Sequence, residues 1–314
     1  MPLRSSLLTA VAGVATLVAV ASGAAAASRP TVARADVPAD ARAGGAPALP
    51  ASVGAILDDS LLGASGKLRA RFVVAGLAER LERALGIARD VAAQGSVVPR
   101  ASQLAILPML PFEAKVRGRV GTYVLGMWPH ERRWRRGALL DGPVPAGFIQ
   151  VTPHNRDLAI SEHFRLGDFL TKNQHDVWPK MLVLREPLVD KLELVIDELQ
   201  AMGVRVDHMQ VMSGFRTPAY NARGVGAGGR ARDSRHQYGD AADVFVDNDR
   251  DGWMDDLNRD GRIDLRDADV IVAAAERVEW RHAQLVGGVG RYRATSAHGP
   301  FVHIDVRGHR ARWG

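Results

Sequence analysis

The most informative part of the chain runs Ser234-Arg235-His236-Gln237-Tyr238-Gly239-Asp240-Ala241-Ala242-Asp243, and Phe301-Val302-His303-Ile304-Asp305 follows it further along. These segments supply the imidazoles of His236 and His303 and the carboxylate of Asp243. Two imidazoles and one carboxylate leave the fourth position of a tetrahedral zinc ion open to water, as in hydrolytic zinc sites. The chain has no cysteine, so any transition-metal site in it must use nitrogen and oxygen ligands. The sequence therefore predicts a zinc site with an open position.

The length and composition are those of an ordinary globular protein. The chain has 314 residues, 46% hydrophobic and 24% charged, which allows one or two domains with a sizeable core. The net charge of +6 and the sequence pI of about 10.0 favour anionic partners such as cell-wall polymers. No basic helix interleaved with aromatic residues and no zinc-finger spacing is present, so the sequence argues against nucleic acid as a partner.

The N-terminus has the pattern of an export signal. Arg4 precedes an apolar stretch at residues 7–20, and small residues at 23–27 resemble a cleavage zone, so residues 1–27 are interpreted as a signal peptide. The alternative is an uncleaved anchor, because the apolar stretch is nearly long enough to span a bilayer. After cleavage we expect no membrane span. The predicted location is the periplasm, the cell wall or the extracellular space.

Two segments precede the region that carries the histidines. Residues 28–50 are rich in Ala, Pro, Gly and Arg, which predicts a disordered linker. Residues 51–152 are expected to form a small module with a helical stripe at 68–91 and short strands at 122–126 and 147–151. The basic loop at 131–137 is either a solvated turn or a grip for anionic wall polymer or phosphate.

Residues 153–314 are expected to form the main domain. Pro187 opens an amphipathic helix that Gly203 closes, and a strand is predicted at 204–212. A second helix is predicted at 267–281 and a final strand at 301–306. Helices and strands are mixed without regular alternation, so the predicted fold class is α+β.

An acidic insert at residues 247–267 has the pattern of two overlapping calcium loops. Oxygen ligands at loop positions 1, 3 and 5, a glycine at 6 and a carboxylate at 12 suit the flexible shell of calcium. The alternative is an aspartate-rich solvated turn, but so many neighbouring carboxylates would repel one another without a counter-ion. The first loop comprises Asp247, Asp249, Asp251, Gly252 and Asp255. The second comprises Asp256, Asn258, Asp260, Gly261, Ile263, Asp264 and Asp267.

The second loop resembles the EF-hand-like loops of dockerin modules, with Asp267 in place of the usual longer glutamate. A shorter carboxylate predicts weak affinity, which suits extracellular calcium. The expected role is structural, pinning the insert against the zinc site. A partner-binding role of the dockerin kind would need a tandem repeat, and the sequence holds one compact unit.

The stretch Ser213-Gly214-Phe215-Arg216-Thr217 precedes the two segments quoted at the start. In this order, the three spaced motifs are similar to those of the zinc D-Ala-D-Ala peptidases with the hedgehog/DD-peptidase fold. The resemblance covers about residues 155–314, and the run from Gly287 to Tyr292 with the terminal Trp313 is closest to the branch containing murein endopeptidases. The motifs are Ser213-Gly214-Phe215-Arg216-Thr217, Ser234-x-His236-x-x-Gly239-x-Ala241-x-Asp243 and Val302-His303-Ile304-Asp305.

The resemblance implies that His236, Asp243 and His303 bind zinc. It also implies that Arg216 clamps a substrate carboxylate or carbonyl and stabilises the tetrahedral oxyanion. Asp305 would share a face with His303 if this segment is a strand, so it either orients an imidazole or is a plain structural carboxylate.

One position departs from the family pattern. Relatives commonly carry a general base two or three residues before the last zinc-binding histidine, where this chain has Phe301 and Pro300. His298 is the nearest titratable substitute, and an imidazole suits the task. Asp240 and His282 are weaker candidates, so the base stays open at this point.

The predicted function is that of an exported zinc metallopeptidase. It would hydrolyse peptide bonds next to D-amino acids in the stem peptides of peptidoglycan, as an endopeptidase or a carboxypeptidase. The first alternative is a catalytically inactive, metal-containing module that binds the cell wall. A weaker alternative is a zinc amidase or peptidase that acts on other peptides.

Overall fold

The computed structural model describes residues 62–74, 76–77, 89–90, 95–98, 104–131, 144–226 and 229–314. These residues belong to one compact unit. The predicted signal peptide and linker lie outside the described residues, as does the basic loop from residue 132 onward. Within the described ranges no helix has the length and apolar character needed to cross a membrane.

The first of the two large sheets uses strands from both halves of the chain. Its members are β1 (Ala70–Val74), β2 (Arg89–Asp90), β3 (Gly95–Val98), β4 (Leu104–Pro111), β7 (Gly147–Val151) and β8 (Lys180–Leu182). The order is β2-β3-β4-β7-β8, and β1 pairs in parallel with β4. The β7–β8 pair joins the expected N-terminal module to the expected main domain. Between β4 and β7, β5 (Arg119–Val120) and β6 (Tyr123–Val124) form a two-stranded ribbon.

The second large sheet carries most of the motif residues. Its order is β13-β11-β12-β10-β9, with antiparallel pairs except for the parallel contact between β11 and β13. Its strands are β9 (Met209–Ser213), β10 (Ala241–Val246), β11 (Gly288–Tyr292), β12 (Phe301–Asp305) and β13 (Ala311–Trp313). The register places Asp243 of β10 directly opposite His303 of β12. Residues far apart in sequence therefore meet across neighbouring strands.

Three α-helices and several 3₁₀ turns complete the described part of the fold. Helix α1 (Glu186–Ala201) packs against α3 (Leu265–Arg281), and the short α2 (Pro218–Ala222) follows β9. Helix α1 ends before Gly203, whose φ of +81° is readily accessible to glycine. The 3₁₀ turns are Phe112–Ala114, Pro129–Glu131, Leu166–Phe169, Arg235–Tyr238 and Ala283–Leu285.

The helix layer is tied to the second sheet by a buried ion pair. Lys191 of α1 is fully buried, and its Nζ lies 2.6 Å from Glu279 Oε1 of α3. The same ammonium donates to the backbone oxygen of Asp305 at 2.8 Å. A buried charge must be compensated in this way, because an unpaired one is costly. The contact fixes the end of β12 against both helices.

The mixture of helices and sheets agrees with the predicted α+β class. The helix predicted from residue 187 is present, as are the strand at 147–151 and, within two residues, the helix at 267–281 and the strand at 301–306. The strand predicted to begin at 204 begins at Met209.

The helical stripe predicted at residues 68–91 is wrong for Ala70–Val74, which form strand β1, and for Arg89–Asp90, which form β2 and pair with β3. Phe72 and Val73 are compatible with either period over so short a run, and parallel pairing with β4 decides in favour of a strand. Residues 78–88 of the same stripe lie outside the described residues.

Candidate metal centre

The structure brings the side chains of His236, Asp243 and His303 into one group that could hold a metal ion. His236 Nε2 lies 3.2 Å from Asp243 Oδ1 and 3.2 Å from His303 Nδ1. The third edge, from His303 Nδ1 to Asp243 Oδ1, is 3.0 Å. A tetrahedral ion that binds its ligands at about 2.0–2.1 Å holds them about 3.3 Å apart. The nearly equilateral triangle therefore fits three ligands of a tetrahedral ion, with its fourth position left for another ligand.

His236 is held in place by an unusually close turn. It lies in the 3₁₀ turn Arg235–Tyr238, which ends at Gly239 with a φ of +67°. A Cβ at Gly239 would lie 2.3 Å from the carbonyl oxygen of Val183, so only glycine fits without displacement. The carbonyl of Gly239 accepts a hydrogen bond from the Arg185 amide at 2.8 Å. Gly239 thus allows the turn to pack closely against Val183 and Arg185, which follow β8.

The ring nitrogens that do not face the triangle each have a hydrogen-bond acceptor. His236 Nδ1 lies 2.7 Å from the carbonyl oxygen of Gly214, and His303 Nε2 lies 3.1 Å from Asp305 Oδ2. Asp305 is fully buried and also accepts from the Gly288 amide at 2.7 Å and from the Arg307 guanidinium. Such contacts fix the tautomer and orientation of a metal-binding imidazole. They leave His236 Nε2 and His303 Nδ1 as the ligand atoms.

The electrostatic surroundings of the two imidazoles differ. Burial lowers the pKa of His236 to about 4, so this ring is neutral at physiological pH, the form that binds metal. Burial also acts to lower the pKa of His303, but its contacts with Asp243 and Asp305 outweigh this and raise it. Although burial alone would raise the pKa of Asp243, His236, His303 and Arg216 hold it well below its usual range. A metal ion at this site would therefore compete with a proton for His303 more than for His236.

Arg216 sits at the edge of the triangle. Its backbone amide donates to the carbonyl of His236 at 3.0 Å, and its Nε donates to Ser213 Oγ at 2.8 Å. Its Nη2 pairs with Oδ2 of Asp243, the oxygen that is not part of the triangle. The guanidinium therefore orients the carboxylate ligand while it lines the cleft beside the metal centre.

A cleft of about 370 Å³ opens onto the metal centre. Its volume lies in the range of sites that take small ligands. Besides the three possible metal ligands, the residues that line it include Arg216, Asp233, Tyr292, Phe301, Arg307 and Trp313.

Of the candidates for the general base, none lines this cleft. His298 packs edge-on against Phe301, with ring centroids 5.0 Å apart, and Phe301 in turn lines the cleft. Asp240 is fully buried, and Arg235 and Arg185 pair with it. His282 caps the C-terminal end of α3. Asp240 is thus a structural partner of arginine, and His298 contacts a residue that lines the cleft without lining it itself.

Four titratable residues that line the cleft were not predicted as site residues: Asp233, Arg235, Tyr292 and Arg307. Asp233 accepts a hydrogen bond from the Tyr238 hydroxyl at 2.5 Å. Tyr292 stacks on Phe301 with centroids 4.6 Å apart, and its hydroxyl accepts from Trp313 Nε1 at 2.8 Å. Asp233 directly precedes the motif that begins at Ser234. This position beside the motif was the sequence signal that could have indicated a site residue.

The acidic insert contains two turns of the same local form, nine residues apart. The amide of Gly252 donates to Asp247 Oδ2 at 3.2 Å, and the amide of Gly261 donates to Asp256 Oδ2 at 2.8 Å. The residues two before each glycine, Arg250 and Arg259, both have a φ of +62°. Both loops predicted from the sequence therefore adopt matching backbone turns.

The two turns differ in how closely their carboxylate oxygens lie to one another. Asp247, Asp249 and Asp255 place ligand oxygens within 4.8 Å of one another. Asp251 lies outside this group and accepts from the Trp253 amide at 2.8 Å. In the described part of the chain, the predicted second-loop ligands Asp256, Asn258, Asp260, Asp264 and Asp267 are in no such group of acidic or histidine side chains.

Comparison of the chain with protein-family models, with curated proteins and with solved structures finds no match. The case for a function therefore rests on the residues and their geometry.

Proposed function

We propose that the protein is an exported zinc metallopeptidase that hydrolyses peptide bonds adjacent to D-amino acids in peptidoglycan. The observation that carries the proposal is the triangle of His236 Nε2, Asp243 Oδ1 and His303 Nδ1, with edges of 3.0–3.2 Å, beside a cleft lined by Arg216. The three motifs that resemble zinc D-Ala-D-Ala peptidases support the same family and its hedgehog/DD-peptidase fold.

Zinc is the metal that best suits this set of donors. Two imidazoles and one carboxylate are a known ligand set of catalytic zinc, and the chain offers no thiolate. Calcium and magnesium prefer shells of oxygen atoms, which these two histidines do not supply. His236, Asp243 and His303 would hold the zinc ion, which would supply a water of lowered pKa, about 7, and a charge that polarises a carbonyl group.

The residues around the metal centre have separable tasks in this proposal. Asp305 and the carbonyl of Gly214 hold the two imidazoles at fixed angles. Arg216 holds Asp243 and presents a guanidinium to the cleft, where it would bind a substrate carboxylate or the oxygen of the scissile carbonyl. Preorganised charge of this kind stabilises a developing oxyanion without reorganisation during the reaction.

We place the proton acceptor at Asp233 in preference to His298. Asp233 is among the residues that line the cleft, whereas His298 is not and packs edge-on against Phe301. A general base must come within hydrogen-bond reach of the water that it deprotonates, directly or through one further water.

A substrate that carries carboxylates matches the charge around the cleft. Arg216, Arg235 and Arg307 outnumber Asp233 and Asp243 among the residues that line it, which leaves a small positive excess although each arginine is paired with an aspartate. The whole chain carries a net charge of +6. Positive potential at a cleft raises the local concentration of anionic ligands. Peptidoglycan stem peptides bear free carboxylates, which is why they are the proposed substrate, with anionic wall polymers as a second surface partner.

The test is digestion of purified peptidoglycan by the purified protein, read by mass spectrometry of the released muropeptides. Samples contain zinc, a chelator, or the variant His236→Ala with zinc. The matched control is His282→Ala, which removes an imidazole outside the cleft. Loss of cross-linked dimers that needs metal and His236 indicates an endopeptidase. Loss of single D-alanine residues indicates a carboxypeptidase.

The inactive wall-binding module predicts a different result. The muropeptide profile would be unchanged in every sample, while the protein still sedimented with the peptidoglycan. That combination would contradict the proposed peptidase activity.

A further inference from the structure

We propose that the first turn of the acidic insert binds a hard divalent cation, with Ca²⁺ as the ion that its ligands suit. The ligands are the carboxylates of Asp247, Asp249 and Asp255. This site is separate from the metal centre of the proposed peptidase and does not depend on peptidase activity.

The main observation is a buried carboxylate oxygen without a partner. Asp247 directly follows β10 and is only 2% exposed. Its Oδ2 accepts from the Gly252 amide at 3.2 Å, but its Oδ1 is buried and has no hydrogen-bond partner. Buried carboxylate oxygens are normally hydrogen-bonded or bound to a metal, because an uncompensated one is costly. The unpartnered oxygen therefore marks a position at which a cation could bind.

The neighbouring carboxylates stand where the same cation could reach them. Ligand oxygens of Asp247, Asp249 and Asp255 all lie within 4.8 Å of one another. Because calcium binds oxygen at about 2.3–2.6 Å, two oxygens on one ion can lie up to about 5 Å apart. Three negative charges this close together repel one another in the absence of a cation. The spacing and the charge both favour a shared ion.

The backbone fixes this group to the second sheet. The amide of Asp247 donates to the carbonyl of His208, and the amide of Asp255 donates to the carbonyl of Val246, each at 3.0 Å. The ligands thus approach from both ends of the turn. A cation there would close the turn at the end of β10, the strand that also carries Asp243.

The second turn provides a control within the same chain. Its buried carboxylate, Asp267, accepts hydrogen bonds from the amides of Leu257, Asn258 and Asp264 at 2.8–3.2 Å. Those contacts satisfy Asp267 without an ion. The two turns share a backbone form, but only the first leaves a buried oxygen unpartnered among the described residues.

An ion in the first turn would also support one side of the metal centre. Trp253 follows Gly252 in that turn, and a Cβ added at Gly299 would lie 3.0 Å from its ring. Gly299 is next to His298 and lies two residues before β12, which carries His303. Ordering of the turn would therefore order the segment that leads into β12.

The test uses Tb³⁺, which takes calcium sites and emits when a nearby tryptophan is excited. We titrate the zinc-loaded full chain with Tb³⁺, displace it with Ca²⁺, and repeat with Asp249→Asn and Asp260→Asn. Both aspartates are exposed members of equivalent turns, so neither change should disturb folding. We expect Asp249→Asn to weaken binding about tenfold or more and Asp260→Asn to leave it within about twofold.

A further variant, Trp253→Phe, should lose the emission while calorimetry still detects the binding of Ca²⁺. Three results would overturn the proposal. The first is the absence of both emission and heat in the unmodified protein. The second is unchanged affinity in Asp249→Asn. The third is loss of binding in Asp260→Asn with retention in Asp249→Asn, which would place the ion in the second turn.

Discussion

Each residue of the metal triangle is held by a second group that does not belong to it. Asp305 holds His303, the carbonyl of Gly214 holds His236, and Arg216 holds Asp243. These supporting contacts orient the ligand atoms before any ion is bound. The affinity of the site should therefore depend on them as well as on the ligands.

Asp305→Asn should weaken zinc binding by about 10–100-fold, because an amide is a poorer acceptor for the His303 ring than a carboxylate. Competition with a chromophoric chelator measures the affinity. The control is Asp269→Asn, which removes a surface carboxylate paired with Arg291. Equal zinc affinity in Asp305→Asn and the unmodified protein would show that the contact does not orient the ligand.

The proton acceptor is tested by a pair of variants. We expect Asp233→Asn to lower kcat by about 10²–10⁴-fold with zinc content unchanged, because it removes the carboxylate at the cleft. His298→Ala should cost less than about tenfold, since His298 does not line the cleft. Muropeptide release at saturating substrate gives kcat. A larger loss of kcat in His298→Ala than in Asp233→Asn would identify His298 as the proton acceptor.

At the level of elements, the metal centre depends on how a turn and two strands are seated. The register between β10 and β12 places Asp243 opposite His303. The 3₁₀ turn with His236 must press against the residues after β8 to complete the triangle. A change that lifts this turn should disturb both stability and the metal centre.

Gly239→Ala tests the seating of the turn. A Cβ there meets the Val183 carbonyl oxygen at 2.3 Å, so the substitution should cost several kcal/mol, more than the roughly 1–2 kcal/mol of left-handed strain alone. Gly308→Ala is the matched control, because its φ is also positive but nothing lies within 4 Å of its Cβ. Urea unfolding of both variants measures the difference. An equal loss of unfolding free energy in both variants would mean that the close contact with the Val183 carbonyl oxygen does not destabilise Gly239→Ala.

A second test at this level concerns the link between the loop at residue 163 and helix α1. His163 Nδ1 lies 2.7 Å from Glu193 Oε2, and this hydrogen bond raises the pKa of His163 above 6.5. When the pKa of a group is higher in the folded than in the unfolded state, its protonation stabilises the fold. This stabilisation is complete at pH values below the pKa of the unfolded state. It is lost as the pH rises through the pKa of the folded state. The contribution of His163 should therefore be full below about pH 6.5 and decline above it.

The variant His163→Gln should be less stable than the unmodified protein by about 1–2 kcal/mol at pH 6, and the gap should narrow toward pH 9. Urea unfolding across this range measures the gap. His309→Gln, at an exposed site, is the control and should show little change with pH. A gap that widens with rising pH would contradict the assignment of the proton to His163.

At the scale of the whole molecule, the sequence predicted the ligand set more completely than it predicted the cleft. The motif spacing pointed to His236, Asp243 and His303, and the structure gathers them into a group that could hold a metal ion. Residue types and their order in the motifs carry that information, whereas the meeting of the three side chains depends on the register between β10 and β12 and on the 3₁₀ turn that holds His236. The metal itself and the reaction stay predictions.

The cleft was harder to predict because its walls come from separate elements. Asp233 and Tyr292 reach it from either side of the insert, and no local pattern connects them. In the N-terminal region, too, the sequence prediction failed where the structure depends on residues distant in the chain. Strand β1 forms through its pairing with β4, more than thirty residues away, and this pairing overrides the helical stripe in its own sequence.

The most direct test of the whole account is an anomalous difference map at the zinc absorption edge, from crystals of the protein purified without added metal. The account predicts one zinc ion bound by His236 Nε2, Asp243 Oδ1 and His303 Nδ1, with its remaining position facing the cleft beside Arg216. A crystal with no zinc at these residues, or a zinc whose fourth position is closed by another side chain of the protein, would contradict it.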